Sequence, residues 1–472
     1  MPSPEAVQPE RLQMLRPGEA RPGQYVLYWM QSSVRSRHNQ ALDYAVAEAN
    51  RLGLPLLVVF GLTPSYPGAN ARHYQYLLEG LRDAHAGLEA RGIPLLVLLI
   101  GAEMVSNGGG PAEAALALAK DAALIVTERA YLRHLREWRE WLAARLAEHH
   151  PDLPLAQIES ELIVPLHVTS LRQEYAARTI RPRIHRALGR YLVEMKEQTP
   201  AHRLEALPTP QGMEALSLAQ LSSPAALIAR FGVEGVPAGA EEGGEVAAQA
   251  QLTAFLKRLD HYDTNRNDPT IDGSSRLSAA LHYGHISALQ VALAVQAHGG
   301  PGAPAYLEEL IVRRELSFNL CWYNPHYDSF AVVPEWAQKT LNEHRHDGRS
   351  YLYSRAELEA AATHDPYWNA AQRQMMLTGR MHNYMRMYWG KKVLEWTPEP
   401  DQAHETLVYL NDKYEQDGRN PNSYAGIGWV FGLHDRPWGT RPVFGMVRYM
   451  NAPGLKRKFD VEAYARKWNT GS

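Results

Sequence analysis

Four short runs of apolar residues punctuate the first 130 positions of the chain. They are YVLYWM from position 25, LPLLVVFGL (54–62), IPLLVLLIG (93–101) and AALIVTE (122–128). The stretches between them, such as 38–53 and 72–92, have apolar residues at helical spacing. Continuous apolar strands that alternate with helices are typical of a parallel sheet covered on both faces. The pattern therefore predicts a doubly wound, Rossmann-like α/β domain over residues 21–195.

The pattern changes on either side of this region. Residues 1–20 are polar and are predicted to be a flexible tail. Residues 196–250 are rich in Pro, Gly, Ala and Glu, which indicates a linker between domains. Beyond them the strand signals almost vanish, and several helical patterns are apolar on nearly every face. Such helices belong in the core of a large domain, so residues 251–472 are predicted to be an all-α domain.

Composition narrows the class of protein. The single cysteine, Cys321, excludes a disulfide framework and a multi-cysteine metal site, and we predict no metal. It also favours a reducing, cytoplasmic compartment. No apolar stretch is long enough to span a membrane, and the polar N-terminus lacks a secretory signal, so we expect an intracellular protein without a membrane partner.

Charge is balanced overall but unevenly distributed. The 49 basic and 51 acidic residues give a net charge of −2, so the whole chain is not a polycation. Residues 435–472, however, contain eight basic and three acidic side chains. This end of the chain is either a solvated surface or a face that binds a polyanion.

Three segments of the predicted helical domain carry polar residues that suggest chemistry. In DGSSRLSAALHYG (272–284), Ser274 and Ser275 stand where a helix is predicted to begin, which suits a bound phosphate as well as an ordinary N-cap. The apolar segment 378–392 contains two arginines, a histidine and an asparagine, which need an anionic ligand or acidic partners. In ELIVRREL, Glu309 can pair with Arg313 or hydrogen-bond a substrate.

Tryptophan is concentrated in the same region. Trp389 and Trp396 are seven residues apart, so a helix places them on one face about 10 Å apart. That spacing suits electron transfer between indoles, and it is also common in packed cores. The turn after the first strand, QSSVRSRHN, has no glycine, so a dinucleotide-binding oxidoreductase is not favoured.

Together these segments resemble the photolyase–cryptochrome flavoproteins, and specifically the class II cyclobutane-pyrimidine-dimer photolyases. The resemblance covers roughly residues 24–468. The segments that carry it are DGSSRLSAALHYGHIS, ELIVRREL, YAARTIRPRIH, RMHNYMRMYWGKKVLEW, YLNDKYEQDGRNPNSYAGIGW and GLHDRPWGTRPVFGMVRYMN. It implies a deoxyribodipyrimidine photo-lyase, in which excited reduced FAD (FADH⁻) transfers an electron to a pyrimidine dimer flipped out of DNA. UV-damaged DNA is then the partner, and the protein is expected to be a monomer.

The resemblance also implies roles for individual residues. The FAD-binding set is Tyr262, Ser274, Ser275, Leu277, Ser278, Asn383, Arg386, Asn411 and Asp417. Arg386 and Asp417 would face flavin N5 and C4=O, and Asn411 would bond N5, with Asn420 and Asn422 as alternatives. The dimer would contact Glu309, Met387 and Trp429, and electrons would pass along Trp389, Trp368 and Trp396. DNA would be bound by Arg266, Arg436, Arg441 and Arg448.

Some choices stay open at this level. The resemblance does not decide whether Arg313 or Arg314 faces the flavin, or whether the α/β domain binds an antenna chromophore such as a deazaflavin or a folate. The main alternative function is a cryptochrome-type blue-light sensor without repair activity. The short segment after the last predicted helix and the presence of Glu309, Met387 and Trp429 favour repair. The class II motifs favour cyclobutane dimers over (6-4) photoproducts.

Overall fold

A seven-stranded sheet forms the N-terminal part of the protein. The computed structural model describes residues 7–101, 107–233, 235–239 and 241–469. The strands are β1 (Leu12–Arg16), β2 (Tyr25–Trp29), β3 (Leu56–Leu62), β4 (Leu95–Leu99), β5 (Ala122–Glu128), β6 (Leu155–Ile158) and β7 (Glu214–Leu216). Their order in the sheet is β1-β6-β5-β2-β3-β4-β7. The five central strands are parallel, and the two edge strands β1 and β7 are antiparallel to their neighbours.

Helices cover both faces of this sheet because alternate side chains of a strand point to opposite faces. Val26 and Tyr28 of β2 pack in one cluster with the helices that follow β2 and β3. Tyr25, Leu27 and Trp29 pack in the other with the helix that follows β5. The helices up to residue 195 are Gln40–Leu52, Ala71–Ala90, Glu113–Ala117, Arg133–His149, Leu166–Thr169 and Ala177–Tyr191. The predicted doubly wound α/β fold is confirmed.

The predicted flexible tail is wrong for Leu12–Arg16, which form β1, while residues 1–6 lie outside the described residues. The guanidinium of the buried Arg11 donates hydrogen bonds to the carbonyl oxygens of Glu159, Leu162 and Ile163. These bonds and the pairing of β1 with β6 hold the segment on the sheet. A short, half-polar edge strand has too little hydrophobic pattern to be recognised in the sequence.

The range 196–250, predicted as a linker, also contains regular structure. Strand β7 pairs with β4. The helices Leu218–Leu221 and Pro224–Phe231 follow it, and Glu245–Leu256 begins before the predicted boundary at 251. Part of this segment is packed structure, because the hydrophobic cluster that contains Val26 and Tyr28 of β2 also contains Leu216, Leu221 and Leu227.

The rest of the described chain is helical, as predicted. Its helices are Tyr262–Asn265, Ser278–His282, Ala288–His298, Ala303–Leu307, Arg314–Tyr323, Glu335–Glu343, Arg355–Glu359, Pro366–Thr378, Asn383–Trp396, Pro400–Tyr414, Pro421–Val430, Ala452–Lys458 and Val461–Asn469. A single turn of π-helix, Glu308–Arg313, precedes Arg314–Tyr323. No helix among the described residues is both long and apolar enough to cross a membrane.

Arg72 links the N-terminal region that contains the sheet (the sheet part) to the C-terminal helical region (the helical part). Its guanidinium donates to the carbonyl oxygens of Met375 and Met376 near the end of Pro366–Thr378, and to that of Tyr414 at the end of Pro400–Tyr414. Carbonyl groups at helix C-termini lack partners within the helix and carry partial negative charge, so they suit a cation. Arg72 thereby holds the starts of the two loops that lead into the candidate site.

Candidate functional site

The centre of the candidate site is the buried ion-pair cluster around Arg386. Arg386 lies one turn into the helix Asn383–Trp396. The apolar segment 378–392 is not one helix, because the preceding helix ends at Gly379, whose φ is 75°. Its Nη2 atom is 3.0 Å from Glu415 Oε1 and 3.8 Å from Asp417 Oδ1. The predicted partner Asp417 is therefore the more distant of two carboxylates.

Glu415 is the functional candidate that the sequence did not reveal. It is 1% exposed and belongs to the loop after Tyr414, in a segment with several acidic residues and no motif that singles it out. Burial raises the pKa of Glu415 to about 8, and the positive charge of Arg386 opposes this shift.

Several buried polar atoms in this cluster have no hydrogen-bond partner among the described residues. They are Arg386 Nε, His382 Nε2 and both carboxylate oxygens of Glu415, whose described contact is the ion pair with Arg386. Buried polar groups in folded proteins are nearly always satisfied. The cluster therefore fits a polar ligand that supplies both donors and acceptors.

The three candidate asparagines differ in burial and in hydrogen bonding. Asn411 is buried on Pro400–Tyr414 and donates from Nδ2 to Asp412 at 3.0 Å. The side chain of Asn420 caps the next helix by accepting from the N–H of Asn422, and Asn422 itself is exposed. The segment predicted as one loop is thus two helices joined at 415–420, and Asn411 is the one of the three asparagines that is buried and has no capping role.

The serine-rich segment does not begin a helix where the sequence predicted. The helix begins at Ser278, and Ser274 and Ser275 precede it in a loop, where Ser275 Oγ accepts from the N–H of Leu277. Leu277 is buried, Ser278 is exposed, and Tyr262 packs edge-on against Tyr306 with ring centroids 5.2 Å apart. Asn383 is exposed at the start of its helix. The fold therefore places the predicted phosphate-binding residues in a loop and on two helix starts.

The three predicted electron-transfer tryptophans form a continuous chain of ring contacts, called the tryptophan stack below, in which one contact is stacked and the other is edge-on. Trp368, from Pro366–Thr378, lies between Trp389 and Trp396 of Asn383–Trp396. Its ring centroid is 6.5 Å from that of Trp389, with planes 12° apart, and 5.7 Å from that of Trp396. The indole N–H of Trp368 donates to the backbone carbonyl of Trp389, and that of Trp389 donates to Gln372 Oε1.

The stack continues beyond the predicted residues. Trp396 is only 2% exposed, so it does not reach the surface. Its ring contacts Tyr353, at 5.4 Å, and His364, at 5.2 Å. Tyr353 Oη and His364 Nδ1 are 2.7 Å apart, and His364 is exposed. The aromatic contacts therefore extend from Trp389 to the surface through residues that the sequence did not single out.

Glu309 lies in the π-helical turn, a local distortion that is frequent at functional sites. It does not pair with Arg313; its Oε1 atom accepts from Arg266 at 2.7 Å, while Arg313 donates to Glu308. The Glu309 side chain is 39% exposed. Arg314 is buried and donates to the carbonyl of Glu161 in the sheet part.

The remaining predicted residues lie on the exposed surface or at its edge. Trp429 is 37% exposed, and Met387 is half-buried on the turn after Arg386. The backbone turn around 436–448 carries three exposed arginines: Arg436, Arg441 and Arg448. Trp438, which is 40% exposed, lies between two of them, with its ring 5.1 Å from Arg436 Cζ and 5.0 Å from Arg448 Cζ. Cations over an exposed indole form a basic, aromatic surface.

A cavity lies at the carboxyl ends of β2, β3 and β5. Ligands of open α/β sheets bind at this edge, where the strand order reverses direction, here between β2 and β5. Aromatic and polar side chains line it, including Tyr66, Tyr131, Trp138, Glu161 and Arg419. Burial raises the pKa of Glu161 to about 7.

Among the described residues, no group of His, Cys, Asp and Glu side chains is arranged to hold a metal ion.

Comparison with known proteins places this geometry in a family. A family model described as DNA photolyase matches residues 26–208. The chain is 46% identical to the deoxyribodipyrimidine photo-lyase of Methanothermobacter thermautotrophicus over 444 residues, which is 94% of each chain. The chain belongs to the DNA photolyase family. It is also 42% identical to the photo-lyase of Oryza sativa, over 96% of this chain and 89% of that protein.

Solved photolyase-family structures share the fold at low sequence identity. A class III photolyase from Agrobacterium tumefaciens superposes with a TM-score of 0.68 at 20% identity, covering 94% of this chain and 86% of that one. A cryptochrome from Synechocystis gives 0.70 at 17% identity, with 94% and 88% covered. A Sulfolobus tokodaii photolyase, described as holding two FAD molecules, gives 0.69 at 18%, with 94% and 90% covered. The arrangement of sheet and helices is therefore that of the photolyase family.

Proposed function

We propose that the protein is a class II cyclobutane-pyrimidine-dimer photolyase that uses FAD and light to repair UV-damaged DNA. The observation that carries the proposal is the arrangement around Arg386. A buried polar cluster with unsatisfied atoms and a tryptophan stack share the helix Asn383–Trp396, which contributes Arg386 to the cluster and Trp389 and Trp396 to the stack. The high identity to proteins named deoxyribodipyrimidine photo-lyase supports the same function. The assignment to class II, the monomeric state and the intracellular location stay predictions.

The residues around Arg386 would hold the flavin ring. Arg386 Nε is buried without a partner and can donate to an acceptor, and Asn411 is buried one helical turn before Glu415 without a capping role. Asp417 and Glu415 balance the Arg386 charge. Tyr262, Ser274, Ser275, Leu277, Ser278 and Asn383 are proposed to contact the rest of the FAD. When bound, excited reduced FAD supplies the electron that splits the dimer.

Glu309 is proposed to hold the dimer, between the apolar side chains of Met387 and Trp429. Glu309 Oε1 already accepts a hydrogen bond from Arg266, and this bond orients the carboxylate. The other carboxylate oxygen can accept a hydrogen bond from a substrate. The arginines Arg266, Arg436, Arg441 and Arg448 would contact DNA phosphates around the flipped nucleotides. Trp389, Trp368 and Trp396 would carry electrons from outside to the flavin.

The test is a spectrum followed by a repair assay. Purified protein is expected to show flavin absorption, and under reducing conditions blue light is expected to remove cyclobutane dimers from duplex DNA. A preparation with flavin that is fully reduced yet leaves the dimers intact would favour the sensor function instead. Absence of flavin after gentle purification would contradict the proposed site. Loss of (6-4) photoproducts without loss of cyclobutane dimers would contradict the proposed substrate.

The cavity at the carboxyl ends of β2, β3 and β5 supports a second binding role, for an antenna chromophore. Its position at the strand-order reversal and its lining by Tyr66 and Trp138 suit a planar aromatic ligand such as a deazaflavin or a folate. Adding each compound to the protein is expected to reveal which one binds. The variant Leu135→Trp, which fills the cavity, is expected to lose that ligand and retain FAD. Glu137→Trp, exposed on the same helix, is the control.

A further inference from the structure

The helix Ala177–Tyr191 has an exposed basic face that no part of the proposed site uses. Residues 170–191 contain six arginines and one glutamate. The helix packs on the molecule through Ala177, Ile180, Ile184 and Tyr191. On its outer side, Arg178, Arg183, Arg186 and Arg190 are exposed. The helix is therefore amphipathic, with an outer face that carries four arginines and no acidic residue.

Acidic side chains neutralise only part of this face. Arg183 pairs with Glu174 at 3.1 Å, and Arg190 pairs with Glu10 at 2.5 Å. Within the described parts of the chain, Arg178 and Arg186 make neither an ion pair nor a side-chain hydrogen bond. These two guanidinium groups are left to solvent or to an external anion.

The basic face adjoins the proposed dimer site on one side. Arg181 donates two hydrogen bonds to Glu308, at 2.6 and 3.0 Å. Glu308 precedes Glu309, which is proposed to contact the dimer, in the same π-helical turn. The ion pair therefore joins the helix directly to the segment that would hold the lesion.

The segment just before the helix adjoins the proposed DNA-binding arginines on the other side. The Tyr175 hydroxyl donates to the backbone carbonyl of Asp435 at 3.2 Å, and His434 Nδ1 lies 2.7 Å from the Tyr175 carbonyl oxygen. Asp435 immediately precedes Arg436. Leu171 and Tyr175 are themselves exposed. The start of the basic face therefore lies beside the turn that carries Arg436.

We infer that the outer face of Ala177–Tyr191 binds the phosphates of duplex DNA flanking the lesion. The inference rests on the proposed function and extends its DNA surface to the segment between the sheet and the helical part. Arg178 and Arg186 are eight residues apart, and a helix rises about 1.5 Å per residue, so they are separated by about 12 Å along the axis. That span matches several successive phosphates at about 3.4 Å of axial rise per strand. The partner is DNA because the face is cationic, and because it adjoins the turn that carries Arg436, a proposed DNA-binding residue.

The experiment measures DNA binding in the dark at several salt concentrations. The double variant Arg178→Gln/Arg186→Gln is compared with the wild-type protein on a dimer-containing duplex of about 30 base pairs (the long duplex) and on a dimer-containing single strand of about four nucleotides (the short oligonucleotide). Each lost phosphate contact lowers the slope of log K against log salt by about 0.9, so the variant's slope on the long duplex should be less steep by about 1.8. The short oligonucleotide holds the dimer but almost no flanking phosphates, so it should give equal slopes for both proteins.

Two further variants serve as controls. Arg178→Lys/Arg186→Lys keeps both charges and is expected to restore the wild-type slope, because a phosphate binds either cation. Lys120→Gln/Arg145→Gln removes one exposed and one partly exposed charge from the sheet part and is expected to bind both DNA substrates as the wild type does. Melting temperatures of all variants should equal that of the wild type.

Unchanged affinity and slope of the Gln double variant on the long duplex would overturn the inference. Equal weakening on the long duplex and the short oligonucleotide would also overturn it, since the arginines would then act at the lesion or on the fold. If the variant instead lost binding to phosphatidylserine vesicles while its DNA binding was unchanged, the helix would be a membrane-binding surface. A wild-type protein that binds the long duplex but repairs no dimer would contradict the proposed function without bearing on the helix.

Discussion

The indole rings of Trp389 and Trp368 are stacked, with centroids 6.5 Å apart and planes 12° from parallel. The two residues are on different helices, and a hydrogen bond from the Trp368 N–H to the Trp389 carbonyl fixes their register. Trp368 in turn contacts Trp396, 5.7 Å away. All three rings are buried, so the protein holds a rigid aromatic path through its largest hydrophobic cluster.

Replacing Trp368 by Phe should interrupt this path. Photoreduction of the oxidised flavin is expected to slow by an order of magnitude or more, because the remaining indoles are no longer in contact. Trp389→Phe should have the same effect. Repair by protein that has been chemically reduced beforehand should continue in both variants, because electron supply through the path is then not needed. Flavin absorbance under blue light with an external reductant measures the first step, and dimer loss measures the second.

Trp336→Phe is the matched control for the tryptophan variants. Trp336 packs against the same hydrophobic cluster but makes none of the ring contacts of the stack. Its photoreduction rate should equal that of the wild type. A Trp368→Phe protein that photoreduces normally would show that electrons reach the flavin by another route.

Glu309→Ala should lower the number of dimers repaired per absorbed photon several-fold while the flavin content is unchanged. The ion pair of Glu309 with Arg266 is partly exposed, and such pairs contribute about 0–1 kcal/mol to stability, so the fold should tolerate its loss. Arg266→Ala separates the two roles. It should weaken DNA binding more than it lowers the yield from bound DNA. If both variants changed only DNA affinity, Glu309 would act solely by holding Arg266.

The tryptophan stack could be anticipated from the sequence, and the Arg386 cluster only in part. Trp389 and Trp396 are seven residues apart on one helix, so periodicity alone brings them to one face. Trp368 enters the stack through tertiary packing, which only the family resemblance could indicate. Glu415 stands two residues from Asp417 in a loop, and spacing does not distinguish which carboxylate approaches Arg386. That choice depends on the path of residues 415–420.

The fold was predictable where hydrophobic patterns are strong. The buried parallel strands β2, β3, β4 and β5 have continuous apolar runs, and each was located from its pattern. The edge strands β1 and β7 are short and partly exposed, so their pattern resembles that of a loop. They form because neighbouring strands offer unpaired backbone groups, which is a property of the assembled sheet.

Trp438→Ala should weaken binding to dimer-containing duplex DNA. The indole contacts both Arg436 and Arg448, so its loss frees two guanidinium groups that it orients. Trp438→Phe should retain most of the affinity, because a phenyl ring still offers a face to the cations.

The charge reversal Arg436→Glu/Arg448→Glu should weaken binding further and make it less sensitive to salt. Dark binding titrations at two salt concentrations measure each effect, and identical salt dependence in the charge-reversal variant would exclude these arginines from the DNA surface.

Stability should fall with rising pH because of Glu315. Its Oε1 atom accepts from the backbone N–H groups of Ile163 and Val164, and burial raises the pKa of Glu315 to about 8. An acid whose pKa is raised in the folded state contributes stability that is complete below its unfolded pKa and is lost as pH rises through about 8. The slope from this residue is at most about 1.4 kcal/mol per pH unit.

Glu315→Gln keeps an oxygen acceptor for the two N–H groups and removes the titration. Relative to the wild type, the variant should therefore gain in melting temperature between about pH 5 and about pH 9. Glu335→Gln, on an exposed side chain, should follow the wild-type profile at every pH. Parallel profiles for wild type and Glu315→Gln would mean that Glu315 ionises in the folded protein with an ordinary pKa, and that the charge of Arg314 beside it outweighs its burial.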